Sequence, residues 1–297
     1  MAEVIASTKP VAPPVVVGVS DDDSRAAVQW AASEAVDRGV ELVVVHVTDE
    51  PPRWSVGRQS SGNTALAEAA PATDVRNGRR VLHEVVQQLA VAHPGLVVRT
   101  NLVSGDVAPV LGALSERAAL VVIGGRRQAL GRAGHLAGIL GGHGRAPLVV
   151  VHADDHFRSG PVVVGVDMGP ESAHALDMAF EQAARMHVPL RIVHAVQRPA
   201  ADASSSLLTS VPDIVTAERE VTHSLVGGVH ADYPEVEVDE QLVEGSAAQA
   251  IIENAADASM IVVGSHGRST LAALLLGSVS RTLVGRAPCP VAVVPGF

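Results

Sequence analysis

The chain has one cysteine, Cys289, among 297 residues, so it cannot form an internal disulfide. Cys289 sits beside a valine run and reads as an inert buried thiol. Aromatic residues make up only 2% of the sequence, so any core must be aliphatic. Lysine occurs once, at Lys9, and the formal net charge is −10. That balance argues against a basic nucleic-acid surface. No apolar run approaches the roughly 20 residues needed to cross a bilayer. No basic region followed by an apolar run marks the start, and the expectation is a cytoplasmic protein without membrane or nucleic-acid partners. The sequence also lacks the Gly-Lys-Ser/Thr of a phosphate-binding P-loop and the His-Glu-Xaa-Xaa-His of a zinc site. No metal ligands and no catalytic residues are assigned.

Val, Leu, Ala and Ile dominate the 47% hydrophobic content, and they recur in a pattern. "PVVVGVSDDDSRAAVQWAASEA" starts at Pro14, and "PVVVGVDMGPESAHALDMAFEQA" at Pro161. Each leads to a short strand-like run ending near a histidine, His46 or His194. Each then shows a Val-Xaa-Gly segment and closes on Ala-Pro with a valine run. The shared order indicates a tandem duplication of whole domains. The expected organisation is a loose tail over 1–13, a first domain over 14–152, a linker over 153–160 and a second domain over 161–297.

Valine-rich runs predict buried strands near 14–19, 41–47, 97–103, 120–124 and 147–151 in the first half. The second half repeats them near 161–166, 190–196, 236–243, 260–264 and 290–294. Alanine-rich stretches predict helices near 171–186, 209–231, 246–257 and 276–285. Strands alternating with helices imply an α/β fold: a mostly parallel sheet with helices on both faces. Such sheets bind ligands beyond the carboxyl ends of their strands. The stretches 48–79, which includes Trp54, and 197–224 read as lids over the sheet edges or as loose loops.

That rule directs attention to "GSHGRSTLAALLLGSVS", which begins at Gly264. Gly264 ends a strand, Gly267 permits a tight turn, and Gly277-Ser278 opens a helix that Ser278 could cap. Converging N–H groups at such a helix start suit phosphate oxygens. Ser278 and Ser280 could add hydroxyl donors, with Val279 between them. Glycines that merely make turns are the competing reading. Asp167 ends the first strand of the second half. It could accept from a base amine or a ribose hydroxyl, or cap the next helix with Pro170 and Glu171. Val196 could press on a base or belong to the core. Ser265 could touch ribose or serve the turn, and Arg268 could meet phosphate or solvent. His46 and His194 recur in both halves and read as fold positions. His266 has no visible nucleophile beside it.

These residues resemble the universal stress protein family, over nearly all of 14–295, and within it the tandem-domain members from actinobacteria. Gly264, Gly267 and Gly277-Ser278 match the spacing of its ATP-binding subgroup. Asp167, the Val243–Gly245 segment and "APCPVAVV" accompany them in order. The resemblance implies two tandem domains, each a five-stranded parallel sheet with helices on both faces. It implies adenine and ribose near Asp167, a base pocket lined by Val196, and phosphates at Gly264, Gly267, Gly277, Ser278 and Ser280. It also implies pairing through the last strand, as a homodimer or as a pseudo-dimer within one chain.

The first half departs from that pattern. Ser20 stands at the place of Asp167, Arg127 at that of Gly267, and Ile139 follows Gly138 where serine is expected. A left-handed backbone at Arg127 costs about 1 kcal/mol or more. Asp21, Asp22 and Asp23 would repel a triphosphate, although Arg126 and Arg127 could bind anions in another way. The expectation is one nucleotide per chain, ATP with or without Mg2+, held in the second half. The function expected is a nucleotide-dependent stress-response or signalling module acting on an unidentified protein partner. A slow ATPase or self-phosphorylating enzyme, and a nucleotide-free scaffold, are the alternatives. No poised general base is evident for dedicated turnover.

Overall fold

The computed structural model describes residues 12–20, 24–48, 64–125, 136–140, 144–155, 159–167, 169, 171–196, 211–266 and 276–296, with backbone alone over 64–73, 171 and 211–218. The valine runs are strands: β1 (Val15–Val19), β2 (Leu42–Thr48), β3 (Val98–Ser104), β4 (Leu120–Gly125) and β5 (Leu148–His152). Five more follow: β6 (Val162–Val166), β7 (Leu190–Val196), β8 (Val238–Glu244), β9 (Met260–Gly264) and β10 (Val291–Val294). The helices between them are α1 (Arg25–Arg38), α2 (Thr64–Ala92) and α3 (Val107–Ser115) in the first half. The second half carries α4 (Glu171–Met186), α5 (Val211–His230), α6 (Ala247–Asn254) and α7 (Ser278–Arg286). A short helical stretch also covers residues 136–140.

The two halves build one sheet of ten strands, ordered β3-β2-β1-β4-β5-β10-β9-β6-β7-β8. Within each half neighbouring strands are parallel. The junction is the exception: β10 runs antiparallel to β5, with Val291 opposite Val150 and Val293 opposite Leu148. The sheet is therefore mixed, two parallel five-stranded halves joined by an antiparallel seam. The halves are related by an approximate two-fold axis through that seam.

Alternation along the strands fills two cores, one on each face. Val15, Val17 and Val19 of β1 join α1, α2 and α4 on one face. Val16 points to the other face, among Leu111, Leu140, Leu283 and Cys289. The glycine of the repeated "VVVGV" has a packing reason in the second half. A Cβ on Gly165 would lie 2.4 Å from Ile251 Cδ1, so the missing side chain lets α6 press on the sheet.

The stretch 48–79 departs from the lid-or-loop reading, being helical from Thr64 onward in α2. Pro71 and Gly78 obscured it, since both weaken a helical pattern. Gly78 is where α2 crosses β2: a Cβ there would meet His46 Cδ2 at 2.6 Å. Likewise 211–224 belongs to α5. Among the described residues no helix is long and apolar enough to cross a membrane.

Candidate functional site

The carboxyl ends of β6, β7 and β9 lie side by side in the order β9-β6-β7, and the sequence-predicted residues gather there. Asp167 follows β6 directly. Its Oδ1 accepts from the Gly169 N–H at 2.8 Å and from the Ser172 hydroxyl at 2.9 Å. The Asp167 N–H donates to Ser172 Oγ at 2.8 Å. Ser172, in the first turn of α4, thus fastens this turn. In the first half Ser24 Oγ accepts from the Ser20 N–H at 2.9 Å, four residues along.

Val196 ends β7 and is buried. Its carbonyl accepts from the Gly245 N–H at 3.1 Å, and Thr48 does the same for Gly105 at 3.0 Å. Gly245 and Gly105 hold φ of 127° and 142°, a backbone state that side chains disfavour. The recurring Val-Xaa-Gly segment is therefore a turn closing the second strand's end.

The glycine segment is tied to the sheet at both ends. The Ser265 N–H donates to Val294 O at 2.8 Å, and Ser265 O accepts from the Gly277 N–H at 2.9 Å. The Ser280 hydroxyl donates to Gly264 O at 2.7 Å. These bonds pin the start of α7 beside the end of β9. The N-cap is Gly277, one residue before the position expected from Ser278. A glycine cap accepts no side-chain bond, and Ser278 is instead the first helical residue, with its carbonyl bonded to Thr282 Oγ1 at 2.8 Å. The first intrahelical bond runs from the Arg281 N–H to Gly277 O. The N–H groups of Ser278, Val279 and Ser280 therefore have no intrahelical acceptor. Ser278 is exposed, whereas Ser265 and Ser280 are buried. Gly267 and Arg268 lie outside the described residues, as do Arg126, Arg127, Asp21, Asp22, Asp23 and Trp54.

The histidines hold the frame. His46 Nδ1 donates to Val19 O at 3.0 Å, and His194 Nδ1 donates to Val166 O at 3.0 Å. Each buried ring satisfies the last carbonyl of the neighbouring strand. Ser265 Oγ and His266 Nδ1 are 3.0 Å apart. No group of three or more His, Cys, Asp or Glu among the described residues could hold a metal ion.

The first half repeats the layout with other side chains. Gly124 and Gly125 end β4, and the helical stretch 136–140 contains Gly138 and Ile139. It has neither a carboxylate at Ser20 nor hydroxyls after Gly138.

The family model described as "Universal stress protein family" matches residues 13–152 and again 158–295. Universal stress protein Rv2005c of Mycobacterium tuberculosis is 32% identical over 303 residues, covering 94% of this chain and 96% of its own. A universal stress protein of Mycolicibacterium smegmatis is 33% identical over 288 residues, covering 94% and 96%. Among solved structures, a universal stress protein of Archaeoglobus fulgidus superposes with a TM-score of 0.67. It is 18% identical, over 95% of this chain and 98% of that one, a likeness of fold alone.

Proposed function

The chain belongs to the universal stress protein family, as two tandem family domains, and from that premise we propose that its second half binds ATP to control contact with a protein partner. The observation that carries this reading is the pinned start of α7. The N–H groups of Ser278, Val279 and Ser280, which have no intrahelical acceptor, stand at the carboxyl rim of the sheet, where a helix start favours phosphate oxygens. Ser280 contributes by fixing that helix start to Gly264 O. Asp167, on the adjacent strand end, suits a ribose hydroxyl or base amine. The first half has Ser20 at the equivalent place. Val196 supplies apolar surface for the base, and Gly264, Ser265, Gly267 and Arg268 complete the phosphate side. Mg2+ would enter with the nucleotide's own phosphates.

The first half, with Ser20, Arg127 and Ile139, serves in this reading as the folded counterpart and not as a second nucleotide site. The test is calorimetric titration of ligand-free full-length chain with ATP, with and without Mg2+. One site per chain is expected, lost in Gly267→Arg, which installs the first half's residue, and weakened at least about tenfold in Asp167→Ala. Two sites, or a site indifferent to Gly267→Arg, would refute the assignment. Absence of binding would favour the nucleotide-free scaffold.

A further inference from the structure

Where α1 and α4 approach across the seam, two polar residues are buried. Glu34 is 5% exposed and Gln182 is inaccessible. Gln182 Nε2 donates to Glu34 Oε1 at 2.7 Å. Both stand five residues before the cap of their helix, Gly39 in one half and His187 in the other. They are equivalent positions of the duplicated domain, meeting at its two-fold axis with an acid on one side and an amide on the other.

The surrounding groups are equally one-sided. Arg38 bonds Glu34 within α1, and its Nη1 reaches Glu181 Oε1 of the other half at 3.1 Å. Arg185 also bonds Glu181. By the same count from the caps, Arg38 corresponds to Met186 and Glu181 to Ser33. Pairing two first halves would set Glu34 against Glu34 in the core, with no amide donor between them, and Arg38 against Ser33. Pairing two second halves would leave an amide facing an amide and Glu181 facing Met186. Only the unlike pairing gives the buried carboxylate an amide donor and Arg38 a carboxylate on the far side.

The present arrangement is not optimised for stability. Gln182 Oε1 is buried with no hydrogen-bond partner, and Arg185 Nε is too. A buried polar pair with unmet atoms is poorer than well-packed apolar residues, but it discriminates between partners as apolar residues do not. We propose that the Glu34–Gln182 pair is a matching device. It makes the first half select the second half in preference to another copy of itself, and so keeps each chain a closed, self-paired unit.

The full chain allows a direct test, because single substitutions recreate the like pairings in place. Gln182→Glu puts acid against acid, Glu34→Gln puts amide against amide, and the double variant exchanges the two residues. Melting midpoints of all four chains at neutral pH form a double-mutant cycle. Gln182→Glu is expected to lower the midpoint by about 6 °C or more. The double variant should recover about half of that loss or more, since an amide on α1 would then donate to an acid on α4, with Arg38 and Arg185 nearby. Should Gln182→Glu alone fail to fold, the added Glu34→Gln change must restore a folded chain. A double variant no more stable than Gln182→Glu, or Gln182→Glu as stable as wild type, would overturn the proposal.

Discussion

Gly160 precedes the first strand of the second half, and its lack of a side chain is a steric necessity. A Cβ built there would sit 1.9 Å from the backbone oxygen of Asp257 and 2.8 Å from its carbon. Real Cβ atoms essentially never come closer than 3.0 Å, so Gly160→Ala demands a separation of at least 3.0 − 1.9 = 1.1 Å. The obstacle is backbone, and it is held. Arg191 Nη1 donates to Asn254 O at 2.7 Å and to Asp257 Oδ1 at 3.1 Å, while its Nε donates to Asp239 Oδ2 at 3.1 Å. One residue on, Pro161 O accepts from the Ser259 N–H at 3.0 Å and from its hydroxyl at 3.2 Å. Those bonds start the pairing of β6 with β9, and the displacement would break at least one of them. Overpacking costs about 1–3 kcal/mol and a lost hydrogen bond about 0.5–1.5, so the expected loss is about 2–4 kcal/mol. In a chain this long that lowers the melting midpoint by about 3–6 °C. Differential scanning calorimetry reads this directly. A midpoint within about 1 °C of wild type would refute the steric reasoning.

Two further expectations rest on local geometry. His187 holds φ at 53°, where Gly39 of the first half holds 64°. A left-handed residue with a side chain is strained by about 1 kcal/mol, so His187→Gly should raise the melting midpoint by a few degrees, and Gly39→Ala should lower it. Tyr233 is the chain's only tyrosine, so absorbance near the phenolate band reports on it alone. Desolvation first, then the carboxylates of Glu181, Asp177 and Asp232, push its phenol above the ordinary value of 10.0, against the opposing pull of Arg185. The folded chain then holds this proton more tightly than the unfolded one. The associated stability is complete below the ordinary phenol range and is lost as pH rises through the native midpoint. The native midpoint should exceed that in denaturant and fall in Asp177→Asn. A native midpoint at or below the denatured one would contradict this.

The strands were legible because a parallel strand buried on both faces reads as a run of valine, and each run was read twice. The starts of α4 and α7 were legible from the residues at the ends of β6 and β9. The start of α2 was hidden by Pro71 and Gly78, whose close fit against His46 is a tertiary matter. Ser278 misled as a cap because hydroxyl residues favour that position, whereas the bond to Ser265 O places Gly277 there. The axial pair left no signal at all. Glu34 and Gln182 sit among alanines, where a polar residue ordinarily marks the solvent face. Only the seam turns that face inward. Gly160 read as the last residue of a linker, and its reason, the carbonyl of Asp257, lies 97 residues away in sequence.

The antiparallel seam also settles which way the two halves look. Because β10 runs against β5, the strands of one half finish where those of the other begin. The rim bearing Asp167 and α7 and the rim bearing Ser20 and Gly138 lie at opposite poles of the sheet. Strands of four to seven residues separate them by about 13–24 Å of protein. A compact body seated on one pole leaves the other uncovered, and a small ligand held at one cannot touch the other. The molecule is thus two-ended, and whatever engages both ends must be long enough to reach around the sheet or must come as two bodies.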